Sequence, residues 1–259
     1  MCVRLLRILL SRIYAKEGTN YKMEEIYKMS DTLNAKVIRS INISEGKKYL
    51  TQRDNKIRPF ATCNTTSIIM ALVYSGQELP PKVHEEDQYE DILTAFLQTN
   101  EEVVKYYAKI DPISYRAWKA SPSSLKVIPP NEYHAVLAFG TNLWLGRRAV
   151  SFSTATPVNK ILYSLLKGKA VVLSGKWAGL KHIVCAVGFT TQQQDIDSVT
   201  SPQDIDLSLI SDIIIDDPFG DYTSKYQNTD GNDIHVPTLD FISICREYDS
   251  GLKWAHLIS

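Results

Sequence analysis

Cys63 stands in a sequence context that favours nucleophilic chemistry. The apolar residues after it, from Ile68 to Val73, have helical spacing and end at Gly76, which predicts a helix with Cys63 in its first turn. A thiol at that place faces the positive end of the helix dipole and unpaired backbone N–H groups, which both stabilise a thiolate. Free cysteine is also a common buried apolar residue, so this thiol alone does not define an active site.

Two residues far along the chain offer the proton chemistry that a nucleophilic thiol needs. His182 opens an apolar segment predicted to be a strand, so its imidazole is expected at a strand end, where it can accept the thiol proton. Asp217 follows another apolar run and precedes Pro218, and a carboxylate there can bond the second nitrogen of the histidine. Asp216 is the alternative orienting carboxylate, although strand alternation places it on the opposite face.

Three more residues are candidates for contacts with a substrate. Gln52 offers a side-chain amide that can complete an oxyanion hole together with the backbone N–H of the cysteine. Asn64 directly follows the thiol, and Trp177 lies in the segment 174–181, whose two glycines favour a loop at the rim of a cleft. We therefore expect Gln52 to stabilise the reacting carbonyl oxygen, and Asn64 and Trp177 to bind the substrate.

The elements expected to position these residues follow an α+β order. Apolar residues recur at helical spacing in the first half of the chain, whereas the second half contains short apolar runs typical of strands. Helices are predicted at 22–33, 62–75, 89–98, 101–109, 132–145, 157–167 and 237–248, and strands at 36–43, 149–153, 170–173, 183–189, 213–215 and 252–258. The helix at 157–167 is expected to be capped by Thr156 and to end at Gly168.

A polar segment, 190–211, separates two of the predicted strands. Its four aspartates could meet a hard cation, yet it lacks the glycine and the terminal glutamate of a calcium loop. We expect a solvated hairpin loop there. The histidines and cysteines show no metal-ligand spacing, so neither a metal nor an organic cofactor is expected.

Residues 1–45 are expected to form a basic, helical segment ahead of a larger domain at 46–259. Within 1–14 the leucines follow helical spacing, whereas three arginines cut the apolar run into pieces too short for a secretion signal or a membrane span. This amphipathic helix is expected either to dock on the body of the protein or to lie on a membrane surface. The chain as a whole is predicted to be soluble.

Composition and charge exclude several classes of protein. The 259 residues are 44% hydrophobic and 22% charged, which is typical of a globular protein and excludes disordered, collagen-like and coiled-coil chains. Lys+Arg and Asp+Glu balance at 29 each, but the first 60 residues hold 13 basic and 6 acidic residues, whereas residues 190–259 hold 3 and 13. No run of like charges indicates a nucleic-acid-binding tail.

The combination of these features resembles a known family. The strings Tyr49–Met70 (YLTQRDNKIRPFATCNTTSIIM), Gly168–Gly188 and Ile213–Gly220 (IIIDDPFG) are together similar to the papain-like cysteine peptidases of the bacteriocin-leader-processing type. They are more closely similar to the stand-alone relatives found in secreted, cell-wall and phage proteins. The resemblance covers about residues 46–259. Two features depart from it, because Cys-Asn-Thr stands where many members have Cys-Gly-Pro, and the segment 190–211 replaces a shorter hairpin.

The resemblance implies a papain-like fold and a thiol hydrolase. In that family a glutamine supplies the oxyanion hole, a cysteine attacks, a histidine is the base and an aspartate orients it, and these roles fall on Gln52, Cys63, His182 and Asp217. The implied substrate is a peptide or a cell-wall peptide, with a phage or bacterial peptidoglycan endopeptidase or amidase as the preferred interpretation, and no nucleic acid is expected as a partner. Two alternatives stay open, namely a non-catalytic binding or structural protein and an acyltransferase that uses the same residues.

Overall fold

The computed structural model describes residues 38–122, 127–245 and 252–259. These ranges contain seven α-helices and seven β-strands. The helices predicted within 1–14 and at 22–33 lie outside the described residues. No helix in the described part of the chain is long and apolar enough to cross a membrane.

The helices are concentrated in the first half of the described chain, as predicted. They are α1 (Cys63–Tyr74), α2 (Tyr89–Thr99), α3 (Glu101–Ile110), α4 (Pro112–Ala120), α5 (His134–Leu145), α6 (Val158–Leu166) and α7 (Thr238–Ile244). Helix α4 is not among the predicted helices, although Asp111 and Pro112 are helix-start signals. In the structure, the Asp111 carboxylate accepts a hydrogen bond from the Ser114 backbone N–H. Its apolar periodicity is weak, because Trp118 is the buried residue of this helix.

The strands form one sheet, and every pairing between described strands is antiparallel. They are β1 (Arg39–Asn42), β2 (Val150–Thr156), β3 (Val171–Trp177), β4 (Leu180–Thr191), β5 (Ile210–Asp216), β6 (Ile234–Pro237) and β7 (Lys253–Ile258). The order across the sheet is β2-β7-β3-β4-β5-β6, and β1 pairs with the end of β4. Helices followed by an antiparallel sheet confirm the predicted α+β class.

Apolar side chains pack on both faces of this sheet, as the alternation along β4 shows. Cys185 and Val187 belong to a core shared with α1, α2, α3 and α5, whereas Val184 and Ala186 belong to a second core around α6 and α7. The central strand is therefore buried on both sides, which explains its nearly continuous apolar sequence.

The segment 190–211 is folded more tightly than the predicted solvated loop. It contains three short 3-10 helices before β5 begins, and Ile196, Val199 and Ile205 are buried in the second core. The prediction misses this burial because the three apolar residues follow neither helical nor strand spacing.

The segment 174–181 is a tight β-hairpin, so the prediction of a loop at the rim of a cleft is wrong. Strands β3 and β4 continue to Trp177 and Leu180, and only Ala178 and Gly179 connect them. Both turn residues have positive φ, 45° and 83°, as a type I′ turn requires.

The helix α6 ends as predicted but begins differently. Gly168 has φ 72°, which suits a glycine just after a helix. The predicted cap is wrong, because Thr156 is the last residue of β2, Pro157 occupies the cap position, and no side chain caps the helix.

The sheet extends across the predicted domain boundary at residue 45. β1 pairs with Gly188 to Thr191 of β4. At the end of this strand, the Asn42 side-chain amide and the Ser44 hydroxyl both donate hydrogen bonds to one carboxylate oxygen of Asp233, at 2.8 and 2.9 Å. Residues 39–44 therefore belong to the same folded unit as the predicted domain.

Candidate active site

Cys63 is the first residue of α1 and is partly exposed. The Asn55 side-chain amide fixes this end of the helix, because it donates to the hydroxyls of Thr62, at 2.8 Å, and Thr66, at 3.0 Å. A backbone N–H in the first turn has no partner within the helix, so the thiol lies beside unpaired donors and the positive end of the dipole. The position predicted for the thiol is confirmed, and its partial exposure leaves it accessible to a reagent.

His182 lies near the start of β4 and links the other two members of the predicted triad. Its Nε2 atom is 2.6 Å from Oδ1 of Asp217, and both side chains are buried. The charge of Cys63 raises the pKa of the ring, so the thiol lies close to the imidazole. Because Nε2 is engaged by the carboxylate, Nδ1 is the nitrogen available to sulfur.

The charges at this site favour a protonated imidazole. Burial alone disfavours the imidazolium, but the negative charge of Cys63 and the hydrogen bond that the ring donates to Asp217 outweigh burial and raise the pKa of His182 to about 10. A thiolate beside an imidazolium is the reactive form of a catalytic cysteine.

Asp217 is held by its backbone as well as by its carboxylate. Its carbonyl oxygen accepts a 2.5 Å hydrogen bond from the Tyr49 hydroxyl, and its N–H donates to the Gly231 carbonyl at 2.8 Å. The Oδ1 atom that faces the histidine also accepts from the Phe219 backbone N–H at 2.9 Å. A side chain at Gly231 would lie 2.1 Å from the Asp217 carbonyl oxygen, so glycine is required at that contact.

Asp216 points away from the histidine, as strand alternation predicts. Its Oδ2 accepts a 2.8 Å hydrogen bond from the Tyr74 hydroxyl, and its Oδ1 accepts from the Asp233 backbone N–H at 2.9 Å. Burial raises the pKa of this carboxyl to about 6. Of the two candidate carboxylates, Asp217 is therefore the one that contacts His182.

Gln52 is buried in a short 3-10 helix attached to the strand end that carries Asp217. Its backbone N–H donates to the Pro218 carbonyl at 2.8 Å, and its side-chain Nε2 donates to the Pro59 carbonyl at 2.7 Å. The bond to Pro59 fixes the orientation of the amide and leaves the second hydrogen of Nε2 for another acceptor.

Both predicted substrate contacts are buried in the structure. Asn64 is 2% exposed, and its amide donates to the carbonyl of Asn131, which ties the start of α1 to the segment before α5. Trp177 is fully buried and packs edge-on against Tyr222 at 5.1 Å between ring centroids. These positions do not support a direct contact with substrate; the structure gives both side chains a packing role.

Two aromatic residues beside the histidine escape the sequence analysis. The rings of Phe219 and Tyr226 lie edge-on to His182, with centroid distances of 6.2 and 5.9 Å, and contact each other at 5.1 Å. Burial and the Asp217 charge raise the pKa of the Tyr226 phenol, so its hydroxyl stays protonated. The sequence signal nearest to Phe219 is the Asp-Pro-Phe string, which places this residue two positions after Asp217. Tyr226 lies in a polar loop without periodicity and has φ 65°.

The other described cysteines lie away from this site. Cys185 and Cys245 are buried, and burial raises the pKa of both thiols, which makes them poor nucleophiles. Cys2 lies outside the described residues. Within those residues, no group of three or more His, Cys, Asp or Glu side chains could hold a metal ion.

No family model, no curated protein and no solved structure matches the chain. The arrangement of Cys63, His182 and Asp217 therefore carries the functional argument.

Proposed function

We propose that the protein is a thiol hydrolase with a papain-like fold that cleaves amide bonds through Cys63, His182 and Asp217. One observation carries the proposal, namely that His182 bonds a buried carboxylate and lies close enough to a partly exposed thiol at a helix start for the charge of that thiol to raise the imidazole pKa. This is the order of nucleophile, base and orienting group that acyl transfer to a thiol requires. The other two described thiols are fully or almost fully buried and have no such partners.

The proposed reaction uses the charges already present at the site. The Cys63 sulfur attacks the carbonyl carbon, a C–S bond forms, and the carbonyl electron pair moves to oxygen. The backbone N–H of Cys63 and the second N–H of the Gln52 amide are the donors proposed for that oxyanion. The intermediate then collapses, the C–N bond breaks, and His182 gives its proton to the departing amine.

Water completes the turnover. His182, now neutral, takes a proton from a water molecule, whose oxygen attacks the thioester. The C–S bond breaks, the carboxylic acid leaves, and the thiol is restored. Asp217 stabilises the imidazolium in both half-reactions.

A peptide is the proposed substrate, with cell-wall peptides as the first candidates. The support for this class is the resemblance of the three sequence strings to stand-alone relatives in cell-wall and phage proteins. The geometry of the site supports cleavage of amide bonds in general, so the test includes both ordinary peptides and cell-wall peptides.

The test compares the wild type with Cys63→Ser on a mixed peptide library and on purified bacterial peptidoglycan, in water enriched in ¹⁸O. We expect new carboxyl termini that carry ¹⁸O in the wild-type reaction, and none above background with the variant. Mass spectrometry of the products identifies both the bond and the label. Absence of any cleavage that depends on Cys63 would contradict the proposal, and products joined to an added amine instead of water would identify an acyltransferase.

A further inference from the structure

Arg53 lies next to the proposed oxyanion residue and is held rigidly against the aromatic residues of the site. Its Nε atom donates to the Phe219 carbonyl at 2.6 Å, and its Nη2 atom donates to the Tyr226 carbonyl at 3.4 Å. The guanidinium also lies over the Phe219 ring, 4.0 Å from the centroid. These contacts fix the plane of the guanidinium beside a ring that itself contacts His182.

The fixed guanidinium keeps most of its hydrogen-bonding capacity. A guanidinium carries five N–H donors, and the two carbonyls use two of them. Among the described residues, no carboxylate lies within salt-bridge distance of Arg53. The side chain is only partly buried, so the remaining donors can reach a ligand. A planar pair of N–H groups is the arrangement that binds a carboxylate through two parallel bonds.

An exposed aromatic side chain extends this surface toward the thiol. Phe60 is 81% exposed, lies three residues before Cys63, and contacts the Phe219 ring edge-on at 6.2 Å. An apolar ring so exposed next to a reactive thiol is suited to cover the aliphatic part of a substrate side chain.

We propose that Arg53 is a specificity-determining residue and that the substrate of this site carries a carboxylate close to the scissile bond. The inference rests on the proposed function, because it places the anion relative to the attacking sulfur. The Phe219 ring lies 4.0 Å from the guanidinium and 6.2 Å from the imidazole, so at most about three residues of extended peptide span the distance from Arg53 to His182. Acidic peptides are therefore the substrate class, bound by Arg53 through the carboxylate.

The test uses alkylating reagents, so that no natural substrate is needed. Iodoacetyl derivatives of glycine, β-alanine and 4-aminobutyrate carry a carboxylate at increasing distances from the reacting carbon, and their carboxamides are neutral counterparts. We expect Cys63 of the full chain to react about tenfold faster with the carboxylate than with the carboxamide at one tether length. Peptide mass spectrometry measures the rate at each cysteine.

Three variants test whether the preference depends on the Arg53 guanidinium or on the general charge of the site. In Arg53→Gln, the preference for the carboxylate, measured as the ratio of the carboxylate rate to the carboxamide rate in the same variant, should fall to about one. Lys56→Gln removes an exposed cation from the same loop and should leave the preference unchanged. Arg53→Lys keeps the charge without the planar pair of donors and should retain only part of the preference.

The outcomes distinguish the two proposals. Equal rates for carboxylate and carboxamide in the wild type at every tether length, or a preference that survives in Arg53→Gln, would overturn the role of Arg53 and leave the hydrolase proposal intact. A Cys63 that reacts with iodoacetamide no faster than an ordinary thiol would instead overturn the hydrolase proposal, and this inference with it.

Discussion

The neighbouring residues Asp216 and Asp217 have different surroundings, and a single substitution at each separates their roles. Asp217→Asn removes the charge that favours the imidazolium, so we expect the alkylation rate of Cys63 at pH 6 to fall about tenfold, which corresponds to about 1.4 kcal/mol. Asp216→Asn should leave that rate unchanged, because this carboxyl contacts Tyr74 and Asp233 instead of the histidine. A larger loss in Asp216→Asn than in Asp217→Asn would reverse the assignment.

Asp216 should also affect stability in a way that depends on pH. Its pKa is raised to about 6 in the folded protein from 3.8 in its ordinary state, so ionising it destabilises the fold. The stabilising contribution of the protonated form is fully present below about pH 4 and is lost as the pH rises to about 6. We expect Asp216→Asn to gain about 2 kcal/mol relative to the wild type between pH 4 and pH 7. Urea unfolding at both pH values measures this difference, and a constant difference would contradict it.

Single residues with a strong local signal are the ones whose positions in the fold the sequence predicts well. Cys63 follows from the helix start, His182 from the strand start, and Asp217 from the Asp-Pro pair. Tyr226 and Arg53 could not be predicted, because they reach the site through loop conformations and carbonyl contacts that leave no periodic pattern. The role predicted for Trp177 lacks support for a related reason, since burial of a hairpin residue depends on what packs over it.

At the scale of elements, the strand end that carries Asp217 depends on a glycine contact. A methyl group at Gly231 would lie 2.1 Å from the Asp217 carbonyl oxygen, so Gly231→Ala must displace one of the two segments. We expect this variant to lose about 1–3 kcal/mol of stability and to show slower alkylation of Cys63 at pH 6.

Gly188→Ala is the matched control for that variant. Its new methyl group would lie 2.0 Å from the Ile41 carbonyl oxygen, in the pairing of β1 with β4 and away from the triad. It should also lower the free energy of unfolding, but the folded protein should keep the wild-type alkylation rate at Cys63. Equal effects of both alanines on Cys63 would show that Gly231 acts through global stability alone.

Elements with regular periodicity are predicted well, and short or irregular ones are not. The bounds of α1, α2, α3 and α5 lie close to the predictions, because each helix presents a sustained apolar face to the core. β6 has only four residues, too few for a pattern, and the 3-10 helices of 190–211 are stabilised by three buried side chains that no period connects. The turn between β3 and β4 places Ala178 at positive φ. The residue types of this segment do not indicate that conformation, because it is uncommon outside glycine.

At the scale of the whole molecule, β1 joins the sheet although it precedes the predicted boundary. Removing it should therefore destabilise the folded unit that contains the site. A chain that begins at residue 38 keeps the pairing of β1 with β4 and the hydrogen bonds to Asp233, whereas a chain that begins at residue 47 loses both. We expect the shorter chain to have a Tm lower by at least about 5 °C. Identical thermal unfolding of the two chains would show that β1 does not contribute to the stability of the sheet.

The central claim is that Cys63 is a nucleophile activated by His182. The pH dependence of iodoacetamide alkylation tests it most directly when measured at each cysteine of the wild type and of His182→Ala by peptide mass spectrometry. We expect Cys63 to react fast below neutral pH, Cys185 and Cys245 to react slowly, and the fast reaction to disappear in His182→Ala. If Cys63 of the wild type reacts no faster than the buried cysteines, or keeps its rate without His182, the account is contradicted.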